Sequence, residues 1–249
     1  MNNNQVRVQQ FMAKAKQPIA FIPQLPDEAT RRLAARLVLS EALETVEALG
    51  FNLTAIGYDI DPQDFNLRVN PFRGSEQEQL RAIADGLADV EYVSNWTWSA
   101  CGMANQPFYD AVCDNNDLKV IDPKFDENGK VKKPEGHLPP DLLRVVEEQV
   151  KHSLSVCSDL LITAAEGGSN YWADFEELAD GAYRIVEQEQ SGDAVVLAEV
   201  TPLMMAKACQ KAIELYPHNH KIIADVDLHD AETADIVLQV AMFGELVYG

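Results

Sequence analysis

Two acidic clusters carry the residue types and spacings that could do chemistry. Glu41, Glu44 and Glu47 recur at every third position in SEALETVEAL. On a helix, steps of three or four return to one face, so these carboxylates form a slowly drifting stripe. Asp85 and Asp89 stand four apart in IADGLADVEYV, again on one face. Asp is a poor helix former because its side chain competes for backbone donors, so two of them amid Leu, Ala and Val need a reason. Three glutamates alone are the pattern of a solvated helix face. An acidic pair on a second helix changes that reading, because antiparallel packing would bring the two sets together. Carboxylate oxygens around one point suit a hard cation, Mg²⁺ with Mn²⁺ as substitute, rather than zinc. Such ions orient a water and neutralise phosphate oxygens during in-line displacement.

A basic stretch complements the carboxylates. Lys119, Lys130, Lys132 and Lys133 lie within the Asp-, Asn-, Gly- and Pro-rich segment 114–140. Ordinary surface loops also carry lysine, so this patch gains meaning only beside the acidic clusters, where it would suit a polyphosphate tail. Trp96 and Trp98 project in different directions from the helix that bears the aspartates. Core packing is the usual fate of tryptophan, and base stacking is the functional alternative. Asn95 is placed to read a base edge, and Asp117 to accept from a guanine.

The elements that must position these residues follow from periodicity and caps. The pattern predicts a short helix over Val6–Ala15, then a long one opening at Pro26-Asp27 and stopping at Gly50. Residues 51–74 read as a connector with a short extended piece. Ser75 and Glu78 make a capping box for a helix running to about Cys101. A shorter helix begins near Gln106-Pro107. Residues 114–140 read as a long loop or hairpin, and Pro140-Asp141 opens a helix that ends at Gly167-Gly168. Beyond it, GAYRIVEQ and DAVVLAEV flank Ser191-Gly192 as a hairpin. Two helices follow, over about Pro202–Leu215 and Asp230–Val247. The expected fold is mainly α: a helical domain over 1–152 and a small α+β domain of unknown role over 153–249. Glu232 and Asp235, an E-x-x-D on the last helix, read as a capping and surface feature, since no acidic helix partners them.

Composition narrows the class. The chain has 249 residues, 47% hydrophobic and 24% charged, which is a globular balance. Forty acidic against twenty basic residues give a formal net charge of −20. Nucleic-acid polymers are bound chiefly by Lys and Arg neutralising phosphates, so such a partner is not expected. A free nucleoside triphosphate would be repelled as well, so its phosphates need a bound cation. The four cysteines, Cys101, Cys113, Cys157 and Cys209, lack metal spacing and read as buried free thiols. No apolar run reaches membrane-spanning length, and MNNNQVRVQQ lacks a secretory h-region, so a cytoplasmic protein without a membrane partner is expected.

The segments that carry these features also resemble a family. VQQFMAKAKQPI precedes RRLAARLVLSEALETVEAL; IADGLADVEYV stands beside the pattern A-D-x-L-A-D-x-x-Y-V; VCDNNDLKV corresponds to V-x-x-S-N-M-S-K; DENGKVKKPEGHLPPDL corresponds to D-G-K-V-x-K-G-x-x-Y-x-P-P-D-L. Taken in order, residues 5 to about 150 resemble the MazG-like, or phosphoribosyl-ATP-pyrophosphohydrolase-like, all-α NTP pyrophosphatases, nearest to their dUTPase-like and phage branches. The resemblance implies Mg²⁺-dependent cleavage of a (deoxy)nucleoside triphosphate to the monophosphate and pyrophosphate. It implies metal ligation by Glu41, Glu44, Asp85 and Asp89, with Glu44 or Glu41 as general base. Asn116 and Lys119 would contact the nucleotide, Lys130 and Lys133 would clamp pyrophosphate, and a homo-oligomer, dimer or tetramer, is expected. Guanine nucleotides (dGTP or GTP) are the first expectation for substrate, with dUTP or dCTP as the alternative. The family's first helix usually shows E-E-x-x-E, where this chain has Ser40 in the first position. Serine offers no carboxylate, which favours the rival expectation of a nucleotide-binding or assembly protein that has lost turnover.

Overall fold

The computed structural model describes residues 3–54, 66–120, 123–125, 131–187, 195–216, 219 and 229–249. In chain order the elements are α1 (Asn3–Lys14), α2 (Glu28–Ala48), β1 (Phe51–Thr54), β2 (Asn66–Val69), α3 (Glu76–Ala100), α4 (Asn105–Asp117), α5 (Leu142–Thr163), β3 (Ala173–Glu177), β4 (Tyr183–Glu187), β5 (Val195–Val200), α6 (Pro202–Leu215) and α7 (Ala231–Phe243). The protein is mainly helical, with a two-stranded and a three-stranded antiparallel sheet. Among the described residues no helix is long and apolar enough to cross a membrane. The chain divides into two compact units, Pro26–Trp98 and Met1–Leu25 with Ser99–Gly249. The expected boundary at 152/153 instead falls inside α5, which runs through it unbroken.

In the Pro26–Trp98 unit, local signals set the helix ends. Asp27 caps α2 by accepting from the Thr30 amide at 2.7 Å. Ser75 and Glu78 form the capping box of α3, with Ser75 N donating to Glu78 Oε2 at 2.8 Å and Glu78 N to Ser75 Oγ at 3.3 Å. Gly50 takes a positive φ of 91° and ends α2, donating to the Glu47 carbonyl. The connector holds more strand than its sequence promised: β1 and β2 pair antiparallel, Phe51 opposite Val69 and Asn52 opposite Arg68.

The other unit holds the larger core. Helices α5, α6 and α7 pack on one another, burying Cys157, Leu160, Leu161, Met205, Cys209, Ile213, Val237 and Leu238. The four cysteines are free thiols; Cys157 and Cys209 are buried as expected, whereas Cys101 and Cys113 are partly exposed. The predicted hairpin around Ser191-Gly192 exists as β4 paired with β5, its tip outside the described residues, and β3 joins it on the other side of β4. Arg184 on the central strand lies between Glu176 and Glu199 on its neighbours, at 2.7 and 2.9 Å. Buried Gln5 of α1 fixes the start of α4, donating to Met103 O at 2.6 Å and accepting from Asn105 N at 3.0 Å. Helix α4 continues to Asp117, so the loop expected from Asp114 starts later than its composition implied.

Two readings of the C-terminal segment are corrected. The last helix stops at Gly244, in the left-handed region at φ 82°, rather than at Val247. Asp235 is no surface residue: it is buried and accepts from Ser169 Oγ at 2.6 Å, Trp172 Nε1 at 2.9 Å, Tyr171 OH at 3.1 Å and Gln239 Nε2 at 2.7 Å. Gln239 in turn accepts from the Val247 and Tyr248 amides, both at 2.7 Å. The Tyr248 ring then stacks on Trp172 with centroids 4.7 Å apart. One carboxylate thus organises the GGSNYW segment and, through Gln239, the chain end. Removing it leaves buried donors unpaired, which is the costly side of hydrogen-bond energetics. Asp235→Ala is expected to lose about 3 kcal/mol in urea denaturation, against under about 0.5 kcal/mol for exposed Glu232→Ala.

Candidate functional site

The Pro26–Trp98 unit brings the acidic residues together by a close helix approach. A Cβ on Gly86 would lie 2.5 Å from Thr45 Oγ1 and 3.1 Å from Thr45 Cα, so only glycine lets α3 come so near α2. Thr45 Oγ1 itself is turned down to donate to the Glu41 carbonyl at 2.8 Å. Further along, Gln79 Nε2 donates to the Ala48 carbonyl at 3.0 Å. Glu41 senses Asp89 at the other side of the crossing. Positions 41, 45 and 48 therefore meet 89, 86 and 79, and the helices are antiparallel, as the carboxylate argument requires.

This crossing borders a cavity of about 780 Å³ lined by Glu44, Glu47, Asp85 and Asp89, by Ala48, Ala82 and Gly86, and by Asn70, Pro71, Phe72 and Arg73. The volume falls in the usual range for a small-molecule site. Three of the four expected ligands, Glu44, Asp85 and Asp89, line it. Glu47 is the fourth lining carboxylate, whereas Glu41 sits beside the group, within electrostatic reach of Glu44 and Asp89. Desolvation, then the charge of Glu44, then that of Asp89 hold the Glu41 carboxyl above its ordinary value. Ser40 donates its hydroxyl to the Leu37 carbonyl at 3.0 Å and stays with its own helix.

The donor set is all carboxylate, which is the chemistry of a Mg²⁺ or Mn²⁺ site. The residues therefore fit such an ion by type. Among the described residues no three His, Cys, Asp or Glu side chains draw together as a closed ligand group, so ligation needs side-chain rotation from opposite walls. None of the side chains of Glu44, Glu47, Asp85 and Asp89 has a hydrogen bond or ion pair among the described residues, and the same holds for Arg73, which lines the same cavity.

The remaining expected residues lie elsewhere. Asn95 and Trp96 are buried, 3% and 2% exposed, and neither lines the cavity; the Asn95 amide donates to the Glu91 carbonyl. Burial of this kind leaves no face of Trp96 open to a base. Asn116 and Lys119 belong to the other unit, where Lys119 Nζ donates to Asn116 Oδ1. Lys133 is exposed in that unit, and Lys130 lies outside the described residues. Gly86, Phe72 and Arg73 were not singled out from sequence. An isolated glycine between two helical aspartates is a signal of close packing that the sequence did contain.

No protein-family model matches this chain, and a comparison with curated proteins gives no match either.

Gly86→Ala gains about 1 kcal/mol of helix propensity but overpacks the crossing by more. The expected net loss is about 1–2 kcal/mol in urea unfolding, partly restored by Thr45→Ala, which removes the first atom the new methyl would meet. The raised carboxyl of Glu41 makes folding take up a proton there. Its contribution therefore favours the fold at acid pH and is lost as pH rises through the raised value. Glu41→Gln is expected to melt above the wild type at pH 7, and the difference should vanish below about pH 4.

Proposed function

We propose that the chain is a Mg²⁺-dependent nucleoside-triphosphate pyrophosphohydrolase, its helical part an elaborated all-α NTP pyrophosphatase core. The observation that carries this reading is the cavity lined by four carboxylates from two antiparallel helices, unpaired among the described residues, with Arg73 in the same lining. Glu41 beside them is held above its ordinary value, and perturbed carboxyls cluster at functional sites. The sequence resemblance to MazG-like pyrophosphatases supplies the reaction: cleavage between the α- and β-phosphates.

In this reading Glu47, Asp85 and Asp89 hold the cation from both walls, and Glu47 supplies the carboxylate that Ser40 does not. Mg²⁺, when bound, neutralises phosphate oxygens and lowers the pKa of a water. Glu44 accepts the proton of the attacking water, a role that suits a carboxylate not fully committed to ligation. Arg73 meets negative charge on the phosphate chain. Guanine nucleotides remain the first substrate to try, with dUTP and dCTP as the alternative. Under this reading a second copy of the chain is the expected partner, and Leu33, Leu39, Leu43, Leu80 and Leu87 of the two helices are exposed.

A second reading, nucleotide binding without turnover, is favoured by Ser40, whose hydroxyl is engaged with the backbone of its own helix. Pyrophosphate release from dGTP, GTP, dATP, dCTP, dTTP and dUTP in Mg²⁺ or Mn²⁺ separates the two. Turnover of one or two nucleotides is expected, reduced about a hundred- to a thousandfold in Asp89→Asn. Binding without release from any of the six would sink the enzyme reading in favour of the second.

A further inference from the structure

The cavity has a second lining stretch besides the carboxylates. It is the segment Asn70–Arg73, and both of its ends are fixed. Asn70 N donates to the Gly50 carbonyl at 2.7 Å, tying the segment to the end of α2. Ser75 and Glu78 clamp the other end through the capping box of α3. Between them the Phe72 ring lies against Gly74, where a Cβ would sit 2.8 Å from Phe72 Cε1. The ring is thus backed by main chain and half-buried, and it lines the cavity. Beside it the guanidinium of Arg73 is exposed and, among the described residues, makes no ion pair, in a chain with 40 acidic residues.

We propose that this segment is the nucleotide-recognising wall of the cavity, with Phe72 the platform for the base and Arg73 a contact to the phosphate chain; the proposal rests on reading the cavity as a nucleoside-triphosphate site. The chemistry of the two walls is complementary. Carboxylates repel phosphate and take it only through a cation, so they serve the metal-bearing end of the ligand. An aromatic face stacks on any base, whatever its edge. A guanidinium presents a planar fork that matches phosphate oxygens two at a time. A segment anchored at both ends loses little freedom on binding, so its contacts are returned as affinity. The platform is sequence-tolerant by nature, so it fixes the ligand class, a nucleoside triphosphate, and leaves base selection to other groups.

The test is isothermal titration of the full chain in Mg²⁺ with three probes: tripolyphosphate, α,β-imido-dGTP and α,β-imido-dUTP. Phe72→Leu keeps apolar volume but removes the ring face. It is expected to weaken whichever imido nucleotide the wild type binds by roughly tenfold or more, leaving tripolyphosphate within about twofold of wild type. Arg73→Gln is expected to weaken nucleotide and tripolyphosphate alike, by about tenfold. Asp89→Asn, assayed for pyrophosphate release, tests the underlying site separately. If Asp89→Asn abolishes turnover while Phe72→Leu binds both kinds of probe as the wild type does, the wall proposal is wrong and the site reading stands. Equal weakening of nucleotide and tripolyphosphate by Phe72→Leu overturns the base platform as well. If the wild type binds a nucleotide but turns over none, hydrolysis is refuted and the binding arms alone decide the wall. A wild type that binds none of the three probes overturns both.

Discussion

The candidate site depends on one contact, the approach of α3 to α2 over Gly86 and Thr45. Interhelix separation is set by the side chains at the crossing, and here one of them is absent. A mid-helix glycine costs roughly 1 kcal/mol relative to alanine, so its place between Asp85 and Asp89 is a local disadvantage kept for a tertiary result. Glu44, Glu47, Asp85 and Asp89 are within four residues of the crossing on their own helices. Any widening there is felt by all four carboxylates at once. The hydroxyl of Thr45, bonded to its own helix, is the atom that a Cβ at position 86 would meet first.

Electrostatics gives the crossing its consequence. Four ion pairs are present among the described residues: Glu28 with Arg32, Glu148 with Arg144, and Glu176 and Glu199 with Arg184. The cavity carboxylates make none, although Arg73 lines the same cavity. Glu41 shows the cost directly, its carboxyl raised by desolvation and then by the charges of Glu44 and Asp89. A surface evolved only for solubility would spread such charges apart. Under the proposed function, that gathered charge is what a divalent cation would neutralise.

Much of this was legible in sequence where the determining physics is local. Helix starts at Asp27, Ser75, Asp141, Thr201 and Asp230 follow from side-chain caps within three residues. The two acidic helices and the hairpin after Gly181 were equally plain. What escaped depends on contacts distant in the chain. The stripe Glu41, Glu44, Glu47 turns by a fraction of a turn at each step, so which members face the cavity is fixed by the rotation of α2 about its axis. The crossing at Gly86 sets that rotation, and periodicity does not. The strands FNLT and NLRV are four residues each, too short for alternation to announce them. Phe72 and Arg73 sit in a connector with no period at all, and only the cavity gives them a role.

Asp235 and Asp89 show why spacing alone misassigns acids. Each lies on a helix with a second acid three or four residues away, Glu232 or Asp85. Asp235 is surrounded by donors from Ser169, Tyr171, Trp172 and Gln239, so its charge is satisfied within the fold and has nothing left to offer a ligand. The cavity carboxylates have no such donors among the described residues, so their charge can be satisfied only from outside the chain. A buried carboxylate with four hydrogen bonds is a structural anchor, because its desolvation is offset where it stands. Unpaired, exposed carboxylates keep their oxygens open to water or to a ligand. The difference lies in the inventory of donors around each acid, and three of the four donors around Asp235 come from residues more than sixty positions away.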